Sequence, residues 1–251
     1  MSNDDVEKWK FLAFLDEREH ADSMREALEA CPFAIKYIQN PSMDLQQIAV
    51  ANDPIAIDYI ADPCEDIQYL AVTRYSLSLL LIKKPTYKVQ LAAVRDNGHL
   101  IADIEEPSEE IRMAAVLSHG DALRHLENPS EEEMIAAVDR YPYALDHIAN
   151  PSFEVQLAAV RKDGRSIGYI KNPCKEIQMA AVKYDYVAIF EIDNPDIEIQ
   201  LAAINTNPKA IAFIENQTKE LQMAAVKRDP HIIHRIQNPH KDVIDYLEKG
   251  R

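Results

Sequence analysis

The segment Pro151-Ser-Phe-Glu-Val-Gln-Leu-Ala-Ala-Val-Arg-Lys-Asp-Gly-Arg-Ser-Ile-Gly-Tyr-Ile-Lys-Asn172 reads as two short helices separated by a glycine, and its pattern recurs every 22 residues through most of the chain. Prolines mark the period. Pro41, Pro63, Pro85, Pro107, Pro129, Pro151, Pro173, Pro195 and Pro239 share one phase, broken only at Gln217. Pro32, Pro54, Pro142, Pro208 and Pro230 share a second phase, where Gly98, Gly120 and Gly164 also fall. A fixed period with no insertion is the mark of stacked-repeat architecture.

Within the unit, the first half reads as a helix. Asn150 can cap it, Pro151 suits the first helical position where its missing N–H is harmless, and Glu154 suits the positive end of the dipole. An apolar strip of Val155, Leu157, Ala158, Ala159 and Val160 follows. The Gly or Pro of the second phase ends this helix and opens a shorter one of about two turns. That second helix keeps an aliphatic pair three residues apart, as in Ile167 and Ile170 or Ile211 and Ile214. Two such short helices cannot bury their faces alone, so stability has to come from stacking. The fold class that follows is all-α: a right-handed α-solenoid of about ten two-helix repeats with helical caps.

Alanine holds one position in every repeat (Ala49, Ala71, Ala93, Ala115, Ala137, Ala159, Ala181, Ala203, Ala225) and lets neighbouring helices approach closely. Gln46, Gln68, Gln90, Gln156, Gln178, Gln200 and Gln222 form a second series. Each lies between apolar neighbours, so its amide needs partners, which a neighbouring repeat's turn can supply. Repeat starts at 41, 63, 85, 107, 129, 151, 173, 195 and 217 place the solenoid over residues 19–238. Residues 1–18 are expected to form an N-terminal capping helix, with Val6, Trp9, Leu12 and Phe14 turned inward. Residues 239–251 are expected to form a partial repeat and C-terminal cap.

The Pro-x-x-Glu-Val-x-Leu-Ala-Ala-Val run followed by Asn-Pro or Asn-Gly resembles leucine-rich-variant and HEAT-type repeats. Lys88-Val-Gln-Leu-Ala-Ala-Val-Arg-Asp-Asn-Gly98 resembles still more an uncharacterised bacterial and viral family with an Ala-Ala-Val…Asn-Gly core. The likeness covers residues 31–246. It implies a helical solenoid serving as a binding scaffold, while the 22-residue unit is shorter than those of HEAT and leucine-rich-variant repeats.

Composition narrows the function classes. The 251 residues carry 42 acids and 27 bases, a net charge of −15. That balance argues against direct nucleic-acid binding, which needs a basic footprint. No apolar run approaches the ~20 residues of a membrane span. The acidic start Met1-Ser-Asn-Asp-Asp-Val lacks the basic region of a signal peptide. Three unpaired cysteines suit a reducing, cytoplasmic setting. No metal is expected: His231, His234 and His240, like the same-slot pair His125 and His147, lack complementary ligands at matching spacing. Cys64 and Cys174 replace a small polar residue, and Cys31 has no His or Asp escort for nucleophilic chemistry. Neither a phosphate loop nor a serine elbow is present, so neither cofactor nor catalytic residue is assigned and the expectation is a non-enzyme.

The departures from the repeat point to function. Residues 101–150 hold 12 acids and three bases, whereas residues 151–251 are balanced. Acids also recur at the fourth repeat position, from Asp44 to Asp242, where they complement a helix dipole. The candidate surface comprises Glu105, Glu106, Glu109, Glu110, Glu131, Glu132 and Glu133, rimmed by Tyr141, Tyr143, His125 and His147. Glu133 stands where other repeats carry Leu, Ile or Val, so its helix start is shifted, locally exposed or engaged elsewhere. This reading makes the chain a protein-binding scaffold or inhibitor for a basic protein. The alternative is an acidic mimic of nucleic acid occupying the DNA or RNA site of another protein, and a third reading is a repair enzyme like the HEAT-like DNA glycosylases.

Overall fold

A computed structural model describes residues 9–249, and they form an all-α solenoid of alternating α- and 3-10 helices. Packing divides the chain into two units, the first ending at Leu126 and the second beginning at Glu127. In the first unit the α-helices are Glu17–Ala30, Met43–Asn52, Glu65–Arg74, Tyr87–Asp96 and Glu109–Ser118. In the second they are Glu131–Arg140, Phe153–Lys162, Lys175–Tyr184, Ile197–Thr206, Lys219–Arg228 and Lys241–Lys249. Within each unit every α-helix packs on the next, and the 3-10 helices form a parallel row of their own.

The helix begins two residues later than the sequence reading placed it. In the Pro151 repeat Ser152, not Asn150, is the cap, and its hydroxyl accepts the Val155 N–H at 3.3 Å. Ser42, Ser108, Ser130 and Thr218 cap in the same way. Cys64 and Cys174 occupy this position without a capping hydrogen bond to the backbone. The asparagine before the proline has a different task. Asn40, Asn128, Asn172, Asn194 and Asn238 adopt positive φ between 47° and 53°, the left-handed region that asparagine tolerates better than most side chains.

The second element is a six-residue 3-10 helix rather than two α-helical turns. With three residues per turn, side chains three apart eclipse each other, which is why the aliphatic pair keeps that spacing. The closing bond runs from the Ile170 N–H to the Ile167 carbonyl at 2.9 Å. An Asp or Asn one residue before this helix caps it: Asp53, Asn97, Asp163, Asp185, Asn207 and Asp229 each accept the N–H two residues ahead.

The core lies between the two rows. The nine repeat alanines are completely buried. Isoleucines, leucines and valines at the fifth, tenth, seventeenth and twentieth positions surround them, with Val155, Val160, Ile167 and Ile170 as one set. Each such side chain contributes about 1.5–3 kcal/mol on burial. At the amino end, the described part of the expected 1–18 capping helix, from residue 9 on, takes another form. Lys10–Phe14 is a 3-10 helix that buries Leu12 and leaves Phe14 89% exposed. Asp16 then caps the long helix Glu17–Ala30 by accepting the Arg18 N–H, so the chain restarts there and one continuous helix cannot form. Val6 lies outside the described residues. No helix among the described residues is long and apolar enough to cross a membrane.

Candidate protein-binding surface

Glu105 and Glu106 lie in the turn before the helix Glu109–Ser118, and Glu106 takes the left-handed conformation (φ 49°) that asparagine fills in other repeats. Glu109 and Glu110 form the first turn of that helix, behind the Ser108 cap. Glu131 and Glu132 open the equivalent helix Glu131–Arg140 in the second unit. All six carboxylates are exposed.

Their electrostatic situations differ. Glu110 accepts the Tyr87 hydroxyl, which raises the Tyr87 pKa, and lies 3.4 Å from the Arg95 guanidinium. It is already neutralised by its own repeat array. The same holds for three other members of the fourth-position series, beyond any dipole effect: Asp44 pairs with Arg25, Glu198 with Lys175, and Asp242 with Lys219. The Ile199 N–H first and then Lys175 hold Asp196 below the usual carboxylate range, and Lys219 does the same for Asp242. Glu105, Glu106, Glu109, Glu131 and Glu132 have no such ion pair among the described residues.

Glu133 is corrected as a surface residue. Its helix start is not shifted, and the side chain is only 4% exposed. It completes a capping box, accepting the Ser130 N–H at 2.8 Å while the Ser130 hydroxyl accepts the Glu133 N–H at 3.2 Å. In two other repeats the N–H at the Ser130 position, that of Thr86 or His240, goes to a glutamine oxygen instead. A carboxylate at an apolar slot is thus used to satisfy a backbone donor.

The aromatic and histidine residues of the candidate rim face other partners. Tyr141 is 44% exposed, with its ring centroid 5.6 Å from that of Tyr143. Tyr143 is half-buried and donates its hydroxyl to Asp163 at 2.7 Å, which raises the tyrosine's pKa. Burial pushes Asp163 up, but this hydroxyl, the Arg165 N–H and its guanidinium prevail and hold the carboxyl low. His147 ends the 3-10 helix Pro142–His147 and is exposed. Tyr143 therefore contacts Asp163, Tyr141 and Tyr169 rather than Glu131 or Glu132.

His125 belongs to a cluster that the shared-slot argument missed. Its ring meets His99 edge-on at 5.9 Å, and His99 in turn lies 5.1 Å from His119 and 3.5 Å from the Asp121 carboxylate. The Arg124 guanidinium donates to His125 Nε2 at 3.1 Å. The Gly98 N–H donates to His119 Nδ1 at 3.2 Å. Among the described residues no group of three or more His, Cys, Asp or Glu side chains is arranged to hold a metal ion.

One rule generates these ring contacts. The fifteenth position of one repeat meets the nineteenth position of the next, 26 residues on, as in Phe33–Tyr59, His99–His125 and Tyr143–Tyr169. All three pairs are edge-on, with centroids 5.5–6.0 Å apart. The 22-residue period hid the relation because equal slots were compared with equal slots. No family model, no curated protein and no solved structure matches the chain.

Proposed function

We propose that the protein is a non-enzymatic, cytoplasmic interaction scaffold or inhibitor that binds a basic protein through exposed carboxylates, Glu105, Glu106 and Glu109 on the first unit and Glu131 and Glu132 on the second. The observation that carries this reading is that these exposed carboxylates have no ion pair among the described residues, while Asp44, Glu110, Glu198 and Asp242 are each matched by a cation. Carboxylates that the array does not neutralise, these five among them, keep their potential for a basic partner. Tyr141, Tyr143, His125 and His147 belong to the 3-10 row and to the end of the α-helix preceding it, so they serve this surface only as a flank. The kinship with HEAT-type and leucine-rich-variant repeats is part of the same proposal, resting on the helical repeat itself. The cross-repeat cations weigh against a nucleic-acid mimic, because they interrupt the evenly stepped acids that such mimicry needs.

The test is a charge-reversed chain, Glu105→Lys, Glu109→Lys, Glu131→Lys and Glu132→Lys together, compared with the native chain for capture of a partner from the source cell. Loss of the captured protein with unchanged melting, and salt-sensitive binding of the native chain, support the reading. Retention of the same partner at the same affinity overturns it. Competition by duplex DNA for that partner selects the mimic instead.

A further inference from the structure

In the second unit an open groove of about 520 Å³ runs between the helices Phe153–Lys162 and Lys175–Tyr184. Leu157, Met179 and Ala180, all half-buried, line it along its length. Phe153 at one end and Tyr184 at the other are 44% and 59% exposed, so two aromatic rings stand beside an apolar channel. These are large side chains for an outer helical face, and the repeat does not require them: six other repeats carry lysine or glutamate at the Phe153 position, and three carry Met43, Tyr87 or Ile197.

The charges around the groove are sorted by end. Arg161 and Lys183, in the last turns of the two helices, border it and have no ion pair among the described residues. Their neighbour Lys162 differs, lying 3.4 Å from Asp139. At the opposite end Lys175 is held by Asp196 and Glu198 at 3.0 and 2.6 Å. That leaves Glu176, in the first turn of Lys175–Tyr184, as the open charge there. The groove therefore offers an apolar floor, a basic end and an acidic end. The negative carboxyl-terminal ends of the two helices lie beside Arg161 and Lys183 and offset part of their charge.

We propose that this groove seats an amphipathic α-helix of a partner protein. The helix runs antiparallel to the two groove helices. Asp or Glu in its first turn meets Arg161 and Lys183, apolar residues at successive turns lie on Leu157, Met179 and Ala180, and Lys or Arg in its last turn meets Glu176. Groove helices of ten residues are about 15 Å long, so the occupant needs roughly three turns. A third helix fits between two neighbours by ridge-into-groove packing, and the antiparallel sense lets its own dipole oppose theirs. The acidic surface plays no part in this, because the groove uses other residues and the opposite charge at its defining end.

The probe is a lactam-stapled, fluorescein-labelled helical peptide of about 14 residues, stapled because so short a helix is marginal in water. It carries Glu in the first turn, Leu at one-turn spacing and Lys in the last turn. Fluorescence anisotropy with the full chain is expected to rise saturably. A second peptide with the two charged ends exchanged is expected to bind about tenfold more weakly, as is the first peptide to an Arg161→Glu/Lys183→Glu chain. A Glu105→Lys/Glu109→Lys chain is expected to bind the first peptide as the native chain does, which separates failure of this groove from failure of the acidic surface. Absence of saturable binding overturns the proposal, and so does equal affinity for the two peptides, a comparison that leaves the protein unaltered.

Discussion

The side-chain oxygen of Gln222 accepts the backbone N–H of His240, 18 residues further along the chain, at 2.8 Å. Its amide nitrogen meanwhile donates to the Gln217 carbonyl at 2.9 Å. One nearly buried side chain thus ties its own repeat's turn to the next repeat's. Gln68 does the same with the Pro63 carbonyl and the Thr86 N–H. Replacing Gln222 with leucine keeps the volume but orphans a backbone donor and an acceptor. The expected cost is about 1–3 kcal/mol, read as a lowered urea midpoint. An unchanged midpoint would show that other groups satisfy both.

Gly98 and Gly168 are expected to respond differently to the same substitution. A Cβ on Gly98 would lie 2.3 Å from the Ala115 carbonyl oxygen of the next repeat, and neither atom can move without moving backbone. A Cβ on Gly168 would first meet a Glu191 carboxylate oxygen at 3.0 Å, the mobile end of a side chain. Gly98→Ala should therefore destabilise by roughly 1–3 kcal/mol and Gly168→Ala by clearly less. Neither glycine has positive φ, so the contrast isolates packing from backbone preference. Paired thermal melts decide it.

Helix capping gives a stabilising change. Cys64 stands at a cap position without a side-chain hydrogen bond, while Ser42, Ser108 and Ser152 make one. Cys64→Ser should raise stability by about 1 kcal/mol, and Ser152→Ala should lower it by a similar amount. Denaturation of both variants beside the native chain checks the sign in each direction.

His125 makes the first unit sensitive to acid. Burial first, then Arg124 and His99, hold its pKa below the ordinary 6.5, against the opposing pull of Asp121 and Asp103. The unfolded chain therefore takes up a proton before the folded one does, so stability falls as pH drops through 6.5 towards the lower folded value. Protonation would also end the hydrogen bond that His125 Nε2 accepts from Arg124. His125→Gln should flatten this part of the profile, as read from urea midpoints taken at intervals between about pH 7.5 and pH 5.5. An equal slope in both chains would assign the acid sensitivity to other groups.

Much of the scaffold was legible because it is written locally and repeated. The Gly and Pro positions, the alanine row and the aliphatic pairs all follow from what short segments can adopt alone. The 3-10 helix was half legible: the three-residue spacing of Ile167 and Ile170 was its signature, but spacing of one pair does not separate a 3-10 turn from an α-helical one. The candidate surface was less legible. Glu110 and Glu109 are adjacent in sequence and equal in chemistry, yet only Glu110 is neutralised by Tyr87 and Arg95.

The sequence by itself determined the period, the order of elements and which side chains face the core, since those depend on local backbone preference and apolar patterning. Tertiary structure decided which side chains meet across repeats. His125 joins His99, Tyr143 joins Tyr169, and Gln222 reaches the N–H of His240. Such contacts depend on the offset between stacked units, which sets the 26-residue pairing inside a 22-residue period, and no single repeat contains that offset.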